Sequence, residues 1–122
     1  MMNSLKLYYW SKWNKCRSVR ELLLQEKVKF EERDIFINPL NADEISEVFG
    51  DENASEIFSS RSPSLKKLGL ISDSLNDKEK IKLMSEEPRL IKRPIIVFDG
   101  VIFAGINENS LREELNKKNL FS

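Results

Sequence analysis

Near the end of the chain, Pro94-Ile95-Ile96-Val97-Phe98 and Val101-Ile102-Phe103-Ala104-Gly105 flank the pair Asp99-Gly100. Aspartate and glycine tolerate positive φ, so this pair suits a two-residue turn whose twist matches the strands it joins. The two segments are therefore the arms of an antiparallel hairpin. Both arms are nearly continuous in apolar character, which predicts burial on both faces and helices on each side of the sheet.

The rest of the chain supplies the other layers. From Leu5 to Trp10, the side chains Leu5, Leu7 and Tyr9 alternate with Lys6, Tyr8 and Trp10, the period of a strand whose faces meet different environments. After the polar break Ser11-Lys12-Trp13-Asn14 the period lengthens. Cys16, Val19, Leu22, Leu23 and Glu26 recur at helical spacing, predicting a helix from Asn14 or Lys15 to Glu26. Val28 to Ile35 reads as a second strand with Val28, Phe30 and Glu32 on one face, and its acidic interior suggests a sheet edge. Strand, helix and strand at this spacing form a right-handed crossover unit.

Three helix starts follow. Asn41-Ala42-Asp43-Glu44 has the form of a capping box ahead of Ile45, Val48 and Phe49. Ser62-Pro63 places a serine cap before proline at the first helical position, with Leu65 and Leu68 inward and Gly69 at the end. Ser74-Leu75-Asn76-Asp77 precedes Ile81, Leu83 and Met84, and Pro88 stops that run. Beyond the hairpin, Asn107 caps a last helix carrying Leu111 and Leu115, with Lys117 and Lys118 near its negative end.

With 122 residues, 40% of them apolar, the chain is expected to be a single domain, 1–122, with a helical insertion over about 41–88. Twenty basic residues balance twenty acidic ones, which argues against direct nucleic-acid binding, since gripping the phosphate backbone calls for a basic surplus. No window approaches the roughly eighteen to twenty apolar residues that span a bilayer, and Met1-Met2-Asn3-Ser4-Leu5 lacks a signal-peptide pattern. A cytoplasmic protein without a membrane role is expected. There is no histidine, which removes Ser-His and Cys-His nucleophiles and most zinc sites, so no metal is expected. A lone cysteine, Cys16, precludes an internal disulfide and fits a reducing compartment. Four unclustered glycines provide no phosphate loop, and no tightly bound cofactor is expected.

The order β-α-β, helical insertion, β-β-α is that of an α/β thioredoxin-like fold with a mixed four-stranded sheet. Several stretches also resemble the arsenate-reductase-like (ArsC/Spx/YffB) family: Leu7-Tyr8-Tyr9 through Cys16-Arg17-Ser18-Val19-Arg20, Glu32-Arg33-Asp34-Ile35-Phe36 with Pro39-Leu40, Ser60-Arg61-Ser62, and Leu90-Ile91-Lys92-Arg93-Pro94-Ile95-Ile96. The resemblance implies that Pro94 follows a cis peptide bond and faces the thiol site. In that family reductases carry their nucleophilic cysteine just before the first helix, and Spx-type members carry Cys-x-x-Cys there. This chain reads Trp13-Asn14-Lys15-Cys16, so Trp13 stands in the place of the attacking thiol. Of three arginines used around the oxyanion, Arg61 and Arg93 match in position, whereas the third falls near Ala104 or Gly105.

Two function classes follow. In the first, Cys16 is the catalytic thiol of an oxidoreductase that uses glutathione as co-substrate or a glutaredoxin-type protein as partner. The positive end of the helix, with Lys12, Lys15 and Arg17, would lower its pKa. Arg61 and Arg93, with Lys12 and Lys15, would bind the anionic partner, and Trp13, Asn14 and Pro94 would shape the site. In the second, Cys16 is a small buried hydrophobe on the stripe of Val19 and Leu23, the fold and the anion pocket of Arg61 and Arg93 are kept without the chemistry, and Trp10 and Trp13 stack on a partner or pack. The chain is then a non-catalytic, Spx-like protein-binding member, and the resemblance implies RNA polymerase as its partner.

Overall fold

A computed structural model describes residues 5–117. Met1 to Ser4, read above for a targeting pattern, and Lys118 lie outside the described residues. The chain divides into two compact units, one made of the residues up to Ile35 and those from Arg93 onward, the other of Phe36–Lys92.

The first unit is built on a four-stranded mixed sheet of β1 (Leu5–Tyr9), β2 (Phe30–Asp34), β3 (Ile95–Phe98) and β4 (Val101–Ala104), in the order β2-β1-β3-β4. β1 runs parallel to β2, with Leu7 opposite Glu32, and antiparallel to β3, with Leu7 opposite Ile96. The crossover between β1 and β2 is α1 (Asn14–Gln25), and α6 (Glu108–Lys117) follows the hairpin. One face of the sheet packs on these two helices. Leu5 and Leu7 from β1, Val19 and Leu23 from α1, Ile96 from β3 and Leu111 from α6 form its core. Each such aliphatic side chain contributes on the order of 1.5–3 kcal/mol by leaving water.

Local chemistry explains the joints. Asp99 and Gly100 both have positive φ, 52° and 78°, as the two-residue turn requires. α1 ends in a Schellman motif in which Val28 N–H reaches Leu23 O at 3.0 Å. The left-handed position there is held by Lys27 at φ 57°, where glycine is the usual occupant. Asn107 Oδ1 accepts the Ser110 N–H at 2.8 Å, the expected cap of α6.

Four expectations need correction. Leu68, expected on the inner face of the helix opened by Ser62-Pro63, follows that helix as its cap and is 53% exposed, leaving Leu65 alone inward. Strand β2 begins at Phe30, not Val28, because the helix-ending motif consumes Val28. Glu26 caps α1 and is exposed instead of lining its inner face. Burial on both faces holds for Ile95 and Ile96 but not for β4: it is a sheet edge, and Val101 stays 52% exposed.

The second unit is helical: α2 (Ala42–Phe49), α3 (Ala54–Ile57), α4 (Pro63–Lys67) and α5 (Asp77–Glu86), with single 3-10 turns at Asp51–Asn53, Ser72–Ser74 and Pro88–Leu90. α3 and these turns carry no clear periodic signal in the sequence. Capping boxes open α2 and α5, where Asn41 and Asn76 each accept at 2.8 Å from the amides of Glu44 and Glu79. α5 packs against α2 and α3, burying Ile45, Phe49, Ile57, Ile81 and Met84. A backbone bridge between Phe58 and Ile91 and the Lys92 N–H to Ile57 O bond of 2.8 Å close the unit. Lys80, buried in α5, donates to Ser55 Oγ at 2.9 Å and lies 5.8 Å from the centre of the Phe58 ring. Among the described residues, no helix is long and apolar enough to cross a membrane.

Candidate functional site

The loop from Trp10 to Asn14 carries the chain from the end of β1 into α1, and the sequence-predicted residues of the first unit gather around it. Trp13 is the helix cap in extended conformation, with no side-chain cap bond, and its carbonyl accepts the Arg17 N–H at 3.0 Å. Its own N–H donates to Trp10 O at 3.1 Å, closing the loop into a tight turn. Asn14, exposed at the first helical position, accepts a hydrogen bond from the Arg17 guanidinium. Lys12 is exposed on the same loop.

Cys16 sits in the first turn of α1 with its side chain turned into the core, and it is 0% exposed. The Trp10 N–H lies 3.5 Å from its sulfur. Burial pushes the thiol above its ordinary value; the Trp10 N–H, Arg93 and Lys15 pull it down and Asp34 pushes it further up, with a net rise. This is the reverse of the lowering expected from the helix end and its cations. Removal from water penalises the thiolate more than the neighbouring positive groups favour it.

Arg93 and Pro94 approach the same loop from the start of β3. The Arg93–Pro94 peptide bond is cis, as the family resemblance implied, and buried Pro94 accepts the Ile106 N–H through its carbonyl at 3.2 Å. The Arg93 guanidinium carbon lies 5.0 Å from the centre of the Trp13 ring and 5.6 Å from that of Trp10. Its Nε and Nη1 are sealed from solvent, so the indole faces take the place of water around the cation. Lys15 Nζ also lies 5.7 Å from the Trp13 centroid. Trp13 itself remains 37% exposed.

Arg61, the remaining predicted anion ligand, belongs to the second unit. It is exposed and lines a cavity of about 560 Å³ with Ser60, Ser62, Lys66, Leu70 and Asp73. Among the described residues there is no cluster of three side chains suited to hold a metal ion.

Sequence reasoning missed a polar network beside the loop. Tyr9 O–H donates to Glu32 Oε1 at 2.7 Å, and Arg20 Nε donates to the same oxygen at 3.0 Å. Burial would raise the Glu32 pKa, but the hydrogen bonds from Arg20 and Tyr9 outweigh it and hold the carboxyl below its ordinary value. Burial raises Tyr9, and Glu32 adds to that rise. Asp34 Oδ2 accepts the Ser11 N–H at 3.0 Å, pinning the loop to β2. The available signal was Tyr9 itself: a tyrosine at an inward strand position needs a partner for its hydroxyl.

Comparison with known proteins bears on this geometry. The chain is 34% identical over 105 residues to the "Global transcriptional regulator Spx" of Listeria innocua, covering 84% of this chain and 80% of that protein. The crystal structure of a possible arsenate reductase from Streptococcus mutans UA159 superposes with a TM-score of 0.72 at 27% identity, covering 94% of this chain and 99% of that one. The putative arsenate reductase from Yersinia pestis, at 21% identity and a TM-score of 0.75 over 93% of this chain and 99% of that one, shares the fold. A model of the ArsC family matches residues 8–114, and with these observations the chain belongs to the ArsC family, on the α/β thioredoxin-like fold.

Proposed function

We propose that this chain is a regulatory, protein-binding member of the ArsC family, similar to Spx, and that it acts by docking on RNA polymerase without performing thiol chemistry. The observation that carries this reading is the state of Cys16: the only thiol in the chain is fully buried, and burial raises its pKa. Thiol chemistry runs through an exposed thiolate, and both conditions fail here. Trp13 occupies the loop position at which family reductases carry the attacking cysteine. The Arg93 guanidinium, which a reductase would turn toward an oxyanion, is engaged by two indole rings. The 34% identity to a protein named as a transcriptional regulator supports the same reading.

A glutathione- or glutaredoxin-linked reductase, with Cys16 as nucleophile and Arg61, Arg93, Lys12 and Lys15 as anion ligands, would need the sulfur to reach solvent. The test places both readings in one experiment. Purified bacterial RNA polymerase is immobilised and the chain titrated over it, wild type beside Cys16→Ser, while arsenate reduction is assayed with glutathione and glutaredoxin. Saturable binding that survives Cys16→Ser, with no turnover, is the expected result. Turnover that Cys16→Ser abolishes, without polymerase binding, would overturn the proposal.

A further inference from the structure

The exposed apolar side chains of this protein are mostly scattered, and singly exposed Leu24, Ile37 or Ile71 need no explanation. Trp13 differs from them in three respects. Its ring is flanked by Arg93 and Lys15, which stand 5.0 Å and 5.7 Å from its centroid, and its backbone is fixed by the main-chain N–H bond to Trp10 O. It is 37% exposed, so part of the residue is open to a partner although the rest is covered. Around it the surface is basic: Lys12 and Arg17 are exposed, Lys15 is half-buried, and no acidic residue occupies the first turn of α1. The carboxylate of Asp34 facing this loop is taken up by the Ser11 N–H.

A large aromatic side chain already fixed in position loses little conformational freedom when a partner covers it. Tryptophan is also enriched among the residues that dominate binding energy. A ring of cations around such an anchor selects a partner of opposite charge and steers its approach. We infer that the Trp13 loop is a docking point for an acidic segment of a partner protein: an aliphatic side chain of that segment covers the indole while its carboxylates face Lys12, Lys15 and Arg17. This inference rests on the protein-binding reading above and names a surface for it. An acidic protein segment is favoured over nucleic acid because the chain as a whole carries no net charge, and gripping a phosphate backbone calls for a basic surplus.

The test uses the full chain, labelled with nitrogen-15, and a short synthetic peptide in which leucines alternate with pairs of glutamate and aspartate. A control peptide carries glutamine and asparagine at the acidic positions. Saturable shifts of the Trp13 indole N–H and of the Lys12 to Arg17 amides are expected with the acidic peptide, weakening as salt is raised. Trp13→Ala and, separately, the surface double variant Lys12→Glu/Arg17→Glu should each weaken binding by about fivefold or more. The inference is overturned if the control peptide binds equally well or if neither variant weakens binding. It is also overturned if a single-stranded oligonucleotide displaces the peptide from this loop and binds it more tightly. Polymerase binding that Trp13→Ala leaves intact would overturn the docking point alone, whereas absence of polymerase binding in the wild type would overturn the regulatory reading.

Discussion

The Trp10 N–H points at the Cys16 sulfur across 3.5 Å and ties the end of β1 to the first turn of α1. A sulfur held this way, inside a core of Val19, Leu23 and Ile96, is a packing atom. Native protein should leave Ellman's reagent unconsumed near neutral pH and react only once urea unfolds it. Cys16→Ser, which buries a hydroxyl where a thiol packed, should lower stability by about 1–3 kcal/mol in urea titration. Modification of the native protein at the rate of a free thiol would refute this placement.

The same burial sets an alkaline limit. The folded thiol pKa lies above its ordinary value of 9.0, and Tyr9 lies above its ordinary 10.0. Below those values both groups are protonated folded and unfolded, and their contribution is complete. As pH rises past 9.0 the unfolded chain releases a proton that the native state retains, so stability falls. Urea midpoints measured between neutral pH and pH about 10.5 should decline, and Cys16→Ala should flatten the first part of that decline.

Glu32 acts at the opposite end of the scale. Its carboxyl is held below the ordinary 4.5, so its contribution is present above that value and is lost as pH falls through the folded pKa. The side chain is 35% exposed, so solvent screens the ion pair with Arg20, and Glu32→Gln should cost less than about 1 kcal/mol at neutral pH. The diagnostic is the pH profile: wild type and variant should converge in acid. A constant gap at every pH would show that the carboxylate charge is not what stabilises the cluster.

Lys27 offers a gain of stability. It holds a left-handed conformation at φ 57° in the motif that ends α1, where an L side chain is strained by roughly 1–2 kcal/mol. Lys27→Gly relieves that strain while enlarging the entropy of the unfolded chain, for a net stabilisation of about 0.5–1 kcal/mol. A lower urea midpoint in the variant would contradict this account.

In the second unit the capping box of α5 is the clearest local target. Asn76→Ala removes the acceptor for the Glu79 amide and should cost about 1 kcal/mol, whereas Asn76→Asp should cost little. Helix content by circular dichroism through a thermal melt checks both.

What could be read along the chain was whatever neighbours in sequence decide. The Asp99-Gly100 turn, the caps at Asn41, Ser62 and Asn107, and the inward stripe of α1 are set by φ preference, short-range hydrogen bonds and periodicity, and these act within a few residues. The crossover and the hairpin together with the family resemblance implied a mixed four-stranded sheet, whereas the order β2-β1-β3-β4 came from the tertiary structure. Where periodicity failed, the expectations failed: a four-residue helix at Ala54–Ile57 is too short to show a repeat, and an edge strand such as β4 can be apolar without being buried. The residues that meet at the loop after β1 were legible only in part, and the state of Cys16 was not. Sequence put Cys16 both on the core stripe and among cations, and only the packing of α1 on the sheet decided that loss of water outweighs the nearby charge. Likewise, no spacing rule brings Arg93 to Trp10 and Trp13, some eighty residues earlier in the chain. That contact exists because β3 pairs with β1 and delivers Arg93 to the loop at the end of β1, and strand pairing is a property of the folded chain.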